Sequence, residues 1–152
     1  MYKDHTYSIP YNGDARALFY NKDLFEAAGL DPEDPPTTID ELTEMAQQLP
    51  IRDGTNYKQV GFVPWFSAGK PLYCWGWNFG GEFYDAENNV LTINDPKNIE
   101  ALQWEVDFAD LMGGQDFVNY ASGLGTGAED PFISGQIAIS VRGNFDIANM
   151  AE

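Results

Sequence analysis

The stretch Tyr20–Leu42, YNKDLFEAAGLDPEDPPTTIDEL, holds a helix stop, a proline-rich hinge and a helix start in close succession. KDLFEAAGL reads as a short helix with Gly29 in the C-cap position, where left-handed backbone costs no Cβ clash and Leu30 can fold back on the last turn. Pro32, Pro35 and Pro36 then remove backbone donors and push their predecessors toward extended conformations, so the chain must turn. Thr38 followed by Glu41 is a capping-box pattern, and Ile39, Leu42, Met45, Ala46 and Leu49 recur at helical spacing until Pro50 stops the run. The stretch therefore encodes two short amphipathic helices joined by a stiff connection.

Working outward, HTYSIPY (5–11) alternates with Tyr7 and Ile9 on one face, and ARALFYN (15–21) continues the strand character after an NGD turn signal, which predicts two short strands. VGFVPW (60–65) reads as a buried strand ended by Pro64. It opens a segment crowded with rings: Trp65, Phe66, Tyr73, Trp75, Trp77, Phe79, Phe83 and Tyr84. ENNVLTIND resembles a turn and a short strand leading to Asp95 as a helix cap, with Pro96 at the first helical position.

The longest helix is expected over Pro96–Met112. Ile99, Leu102, Val106 and Ala109 form one apolar stripe, and Trp104, Phe108 and Leu111 form a second, so the helix should pack on two sides. The glycine-rich stretch from Gly113 to Gly127 reads as a mobile connection with a short helix around Phe117–Ala121. After it, DPFISGQIAISVRG predicts a helical turn, a glycine and a strand over Ile137–Val141, and NFDIANMAE begins another helix. Short strands scattered among helices, with no internal repeat, predict an α/β lobe that is helix-rich around a small sheet.

The length of 152 residues is the usual size of one domain, and 43% hydrophobic with 21% charged residues is ordinary for a folded globular chain. Eight basic against 24 acidic residues give a net charge of -16, a field that repels polyanions, so nucleic acid is excluded as a partner. Cys74 is the only cysteine and His5 the only histidine, which rules out an intramolecular disulfide or a CxxC site and leaves no plausible Cys–His nucleophile pair. Cys74 is expected to behave as a small buried hydrophobe. No run approaches the roughly twenty apolar residues that span a bilayer, and the start has no signal-peptide pattern. No phosphate loop, dinucleotide fingerprint, HExxH or EF-hand pattern is present, so neither cofactor nor metal is expected.

The aromatic segment carries the chemistry. Indole and phenol rings offer a flat apolar face with a polar handle, which suits the C–H face of a pyranose, while neighbouring amides and carboxylates bind hydroxyls. Core packing is the plainer reading for any single ring. Trp65, Trp75 and Trp77 are the candidates, the last two because they alternate with glycine and precede Asn78 and Gly80-Gly81, glycines that permit close approach of a ligand. Asn12, Asp14 and Arg16 sit in a turn and strand entry, where Arg16 presents fixed donors to hydroxyls or forms a surface ion pair. Gly143 and Asn144 follow a strand and precede a helix, so backbone N–H groups there point beyond the strand end, with Asn144 also serving as a cap. Glu82 and Asp85 are the only acids near the rings, and nothing marks them as the carboxyl pair, about 5 to 10 Å apart, that glycoside hydrolysis needs.

Taken in order, YSIPYN, ALFYNKDLFEAAGL, PPTTIDEL, GFVPW, WNFGGEFYD, LTINDPKNIEALQW and PFISGQIAISVRGNF resemble the family 1 extracellular solute-binding proteins of ABC importers. The resemblance runs over nearly the whole chain but covers only the central part of a family member. It implies a periplasmic-binding-protein-like fold of type II, with residues 1–152 as the second of two lobes that close on a ligand, the first lobe and C-terminal helices being absent. It implies an excised piece of an extracellular or periplasmic lipoprotein, no catalytic residues, and capture of a carbohydrate for an ABC permease. The family mostly binds oligosaccharides, with glycerol phosphates and polyols as minority cases.

Carried over by position, the pocket falls near Asp14 and Arg16, at the tryptophans before Gly80-Gly81, and at Gly143-Asn144. Many relatives have tryptophan after that last glycine, where this chain has Asn144-Phe145. A face shaped for a missing lobe also gives an isolated lobe a route to a homodimer or swapped oligomer. The rival readings are a glycoside-hydrolase-associated domain and a purely structural interaction domain.

Overall fold

Val60, Ile137, Ala138 and Ile139 are fully buried, and backbone groups so enclosed must find partners within the protein. They do so in a small sheet at the centre of the computed structural model, which describes residues 4–11, 13–66, 72–127 and 129–150. The chain runs β1 (Arg16–Tyr20), α1 (Lys22–Ala27), α2 (Ile39–Gln48), β2 (Ile51–Asp53), β3 (Asn56–Gln59), α3 (Leu72–Asn78), β4 (Tyr84–Asp85), β5 (Val90–Leu91), α4 (Pro96–Met112), α5 (Gln115–Gly123), β6 (Ile139–Gly143), a 3-10 turn (Asn144–Asp146) and α6 (Ile147–Met150).

β6 lies in the middle. On one side it pairs antiparallel with β1, from Arg16 opposite Gly143 to Tyr20 opposite Ile139. On the other, Val60 bridges Ile137 in parallel, with Ala138 N–H donating to the Val60 carbonyl at 3.0 Å and Ile139 N–H to that of Gly61 at 2.8 Å. Gly61 is required here: a Cβ on it would lie 2.3 Å from the Ala46 carbonyl oxygen, so only glycine lets this segment press against α2.

The local signals around the hinge are realised. Gly29 has φ +80°, and Leu30 N–H reaches back to the Phe25 carbonyl at 2.9 Å. Thr38 and Glu41 cap α2 reciprocally, and α2 buries Leu42 and Ala46. The α4 helix spans the expected residues, with the Asp95 carboxylate accepting from Lys97 N–H at 2.8 Å. Its inner face is Asn98, Ala101, Phe108 and Met112, with Trp104 half-buried. Ile99, Leu102 and Val106 form an exposed stripe; Leu111 is exposed too and does not belong to the inner face.

Other expectations are corrected. Residues 5–11 form no strand beyond an isolated bridge at His5. Tyr7, Ile9 and Tyr11 are all exposed, so the alternation buries no face and the ordering entropy is not offset. VGFVPW is buried as expected but is extended chain with a single bridge rather than a strand. The short helix expected around Phe117–Ala121 is present but longer, nine residues over Gln115–Gly123 (α5), anchored by buried Phe117 and Ala121, so less of the glycine-rich stretch is connection than expected. Three elements had no counterpart in the sequence reading: the β2–β3 hairpin, α3, which converts the WGW run into a helix, and β4, which pairs with the expected short strand β5. Cys74, on α3, is half-buried.

Candidate functional site

The exposed end of the β1–β6 ladder gathers four of the sequence-derived candidates. Arg16 pairs in register with Gly143, and Asn144 N–H donates to the Ala15 carbonyl at 3.0 Å, which closes the ladder and turns the chain into the 3-10 turn. Asp14 accepts from Arg16 Nε at 2.6 Å and lies 2.5 Å from the same guanidinium's terminal nitrogen. The pair is 43% and 40% exposed, so it is hydrated and ready to exchange partners. Asn12 lies outside the described residues.

Phe145 completes this cluster. Its ring is 63% exposed and lies 5.9 Å from the Arg16 guanidinium. It also packs on Gly143, where a Cβ would meet the ring at 2.3 Å, so glycine at 143 is what leaves room for the ring at the strand end. A planar ring, a fork of N–H donors, a carboxylate and an amide now share one open surface. That combination stacks on and hydrogen-bonds to a polyhydroxylated molecule.

The α3 helix carries a second group of exposed rings. Tyr73 and Trp77, four residues apart, are both exposed on one side of α3, with centroids 5.0 Å apart, and Phe83 stands edge-on to Trp77 at 6.1 Å. Burial raises the Cys74 thiol above the usual range, and the positive charge of Arg16 partly offsets this.

Two candidates fall elsewhere. Trp75 is a core ring, only 5% exposed. Its indole N–H donates to the Pro64 carbonyl at 3.0 Å, and its ring meets Trp104 at 4.8 Å and Phe62 at 5.9 Å. It has neither free face nor free donor for a ligand. Trp65 is half-buried against Phe117 at 5.8 Å and lines a groove of about 350 Å³ between α4 and α5 with Leu102, Glu105, Val106 and Val118. Burial pushes the Glu105 carboxyl up to about 7, and its Oε1 has no hydrogen-bond partner.

The glycines beside the tryptophans also have another use. Added Cβ atoms on Gly76 and Gly81 would meet the Asn98 amide oxygen at 2.5 and 2.2 Å. The Asn98 amide nitrogen in turn donates to the Glu82 carbonyl at 2.8 Å. These glycines therefore admit Asn98 of α4, not a ligand, and the contact holds α3 and the β4–β5 hairpin to α4. Gly80, with φ +88°, simply ends α3. Glu82 and Asp85 do not form a carboxyl pair: the Asp85 carboxylate accepts from the Glu87 and Asn88 N–H groups and is held below its usual range by Asn88. No cluster of three potential metal ligands occurs among the described residues, and no described helix is long and apolar enough to cross a membrane.

Phe145 and Tyr73 are exposed rings that the sequence reading does not single out as candidates. Phe145 was noted only as a departure from tryptophan, and Tyr73 becomes visible once residues 72–78 are read as a helix, which places it one turn before Trp77.

Comparison with known proteins places this surface in context. The chain is 29% identical over 153 residues to the sn-glycerol-3-phosphate-binding periplasmic protein UgpB of Escherichia coli K12, covering 97% of this chain and 33% of that protein. The homologous protein of Pectobacterium atrosepticum matches to the same extent. The chain thus spans about a third of the length of these relatives.

Among solved structures, CpMnBP1 with mannobiose bound aligns at TM-score 0.78 with 34% identity, covering 91% of this chain and 36% of that one. A cyclic α-maltosyl-1,6-maltose binding protein from Arthrobacter globiformis aligns at 0.62 with 30% identity, covering 91% and 34%. The fold is that of a periplasmic-binding-protein-like lobe. The model for bacterial extracellular solute-binding proteins matches residues 1–152 in full, and the chain belongs to that family.

Proposed function

We propose that this chain is one lobe, the second, of a two-lobe binding protein that captures a neutral carbohydrate and delivers it to an ABC permease. The observation that carries the reading is the cluster at the open end of the β1–β6 ladder, where Asp14, Arg16, Asn144 and the Phe145 ring come together. One relative, CpMnBP1, solved with mannobiose and again with mannotriose, supports the substrate class.

Charge separates a neutral saccharide from a phosphorylated polyol of the kind named for UgpB. Arg16 is already neutralised by Asp14, and the chain carries a net charge of -16, so a phosphate dianion would meet repulsion and a cation that is already engaged. A hydroxylated ligand needs no net charge; it can share the Arg16 fork with Asp14. The opposite lobe would supply the remaining contacts and exclude water by hinge closure. Half of such a cleft loses those contacts, so the 152-residue chain alone should bind at millimolar strength or below detection.

The rest of the assignment follows the family. For the whole protein the reading is a location outside the cytoplasmic membrane, periplasmic or held at the surface as a lipoprotein, and a role as carrier rather than catalyst, supported by the match to the extracellular solute-binding family. Calorimetric titration of the full-length protein with mannobiose, maltose and sn-glycerol 3-phosphate tests the reading. Micromolar or tighter binding of a disaccharide with no heat from the phosphate is expected, and preference for the phosphate overturns it. Product release from an oligosaccharide would instead establish a hydrolase.

A further inference from the structure

Among the described residues, the most deeply buried cation adjoins the candidate ligand surface on β6. Arg142, on β6 opposite Ala17, has a side chain 4% exposed. One terminal nitrogen donates to both carboxylate oxygens of Asp130 at 2.5 Å, the other lies 3.8 Å from Asp146, and the guanidinium sits 5.1 Å from the Phe132 ring centroid. Its Nε has no partner. By contrast, the Lys22–Glu33, Lys58–Asp53 and Lys97–Glu100 pairs are at least half exposed on both sides.

The two acids that Arg142 meets belong to opposite ends of β6. Asp130 also accepts from the N–H groups of Phe132 and Ile133, which shapes the turn through which the chain enters the strand. Asp146 ends the 3-10 turn through which it leaves, the same turn that carries Asn144 and Phe145. That turn has no side-chain cap, and the helix after it, α6, has no fully buried residue. On its inner side the turn is tied to the lobe by Asn144 N–H to the Ala15 carbonyl and by the approach of Asp146 to Arg142. A buried charge is a costly way to gain stability, since an apolar residue of similar volume often does as well, but a forked cation fixes the relative orientation of the groups around it.

We propose that Arg142 is a positioning residue: it reaches Asp146 from inside the lobe and sets the turn that presents Asn144 and Phe145, while Asp130 holds the guanidinium in place. This rests on the reading of that turn as ligand surface. Asp130 is suited to its part. Burial alone would raise its carboxyl, but the bonds from Arg142 and from Phe132 N–H outweigh this and keep it below the usual range, so it stays charged near neutrality.

The test is hydrogen exchange, followed by mass spectrometry, on the 152-residue chain and three variants. Arg142→Met should accelerate exchange at residues 144–147 about tenfold, while residues 60–62 and 42–46 keep the parent rate. Asp146→Asn should produce a smaller acceleration at the same residues, and Arg142→Lys, which keeps charge without the fork, should recover part of the loss. Unchanged exchange at 144–147 in Arg142→Met overturns the proposal, and so does acceleration spread equally over the core, which would make Arg142 a general stabiliser. If Arg142→Met fails to fold, Asp146→Asn decides alone by the same criterion.

Mannobiose titration of the full-length protein then separates the two claims. If the parent binds and Arg142→Met binds about tenfold more weakly at matched melting temperature, the positioning role extends to the ligand. If the parent binds and the variant binds equally well despite faster exchange, the proposal fails and the carbohydrate reading stands. If the parent does not bind, the carbohydrate reading fails and the exchange data alone judge Arg142.

Discussion

The two ends of the β1–β6 ladder are built from the same hydrogen-bond pattern and do opposite work. At the sealed end Tyr20 faces Ile139; Ile139 is fully buried, and the Tyr20 ring packs 4.9 Å from buried Phe25 while its hydroxyl donates to the Pro32 carbonyl at 2.8 Å. At the open end Arg16 faces Gly143, and the nearest ring, Phe145, lies largely in water. Five residues of β1 thus pass from surface to core, and burial along the strand rises from Arg16 to Tyr20. A binding surface can be rigid at low cost when it is the frayed end of a ladder whose other end is locked into the core.

The largest effect should come from breaking the sealed end. Phe25→Ala is expected to cost about 3–5 kcal/mol, read as a fall in the urea midpoint, because it opens a cavity where α1 meets the sheet. Equal stability of that variant would remove the contrast altogether. At the open end, Gly143→Ala should displace the Phe145 ring and weaken disaccharide binding by the full-length protein about tenfold, with a stability change near 1 kcal/mol. An affinity loss matched by an equal stability loss would show that the open end is structural after all.

Carboxyls sharpen the comparison, since Glu105 is half-enclosed in the α4–α5 groove and Asp14 stands in water. Burial favours the protonated form of Glu105 in the folded state. Its contribution to stability is therefore fully present below the unfolded value near 4.5 and is lost as pH rises through about 7. With solvent screening of a partly exposed group, that loss is about 1 kcal/mol. Glu105→Gln should flatten the stability profile across that window; an unchanged slope would assign it to other groups. Asp130 works in the opposite sense, its stabilisation fading as pH falls into the acid range. The smallest effect is expected for Asp14→Ala, below 1 kcal/mol in thermal melts, because an exposed ion pair contributes little to folding.

The elements legible in the sequence are those decided by near neighbours. The capping box at Thr38 and Glu41, the left-handed Gly29, and Asp95-Pro96 at the start of α4 all depend on residues within one turn, and all are realised. The failures needed distant information. Residues 5–11 alternate correctly but have no core to face, and α3 is a helix of seven residues whose aromatic content favours strands until it packs on α4. Trp75 and Trp77 look alike in sequence; one points at Trp104 and the other away from it, a difference fixed only by the helical turn between them. The candidate surface is half legible: Arg16 and Asn144 stand out individually as candidates, but their meeting depends on the β1–β6 register, which brings together residues from opposite ends of the chain.

The solitary thiol at Cys74 has a practical consequence. It offers one address for a maleimide-linked solvatochromic dye, adjacent in sequence to Tyr73 and within the field of Arg16. Since burial raises the thiol's pKa, conjugation should be faster in mildly alkaline buffer. A dye anchored there would turn the lobe into an optical sensor of whatever docks against that wall, without introducing or deleting any other cysteine.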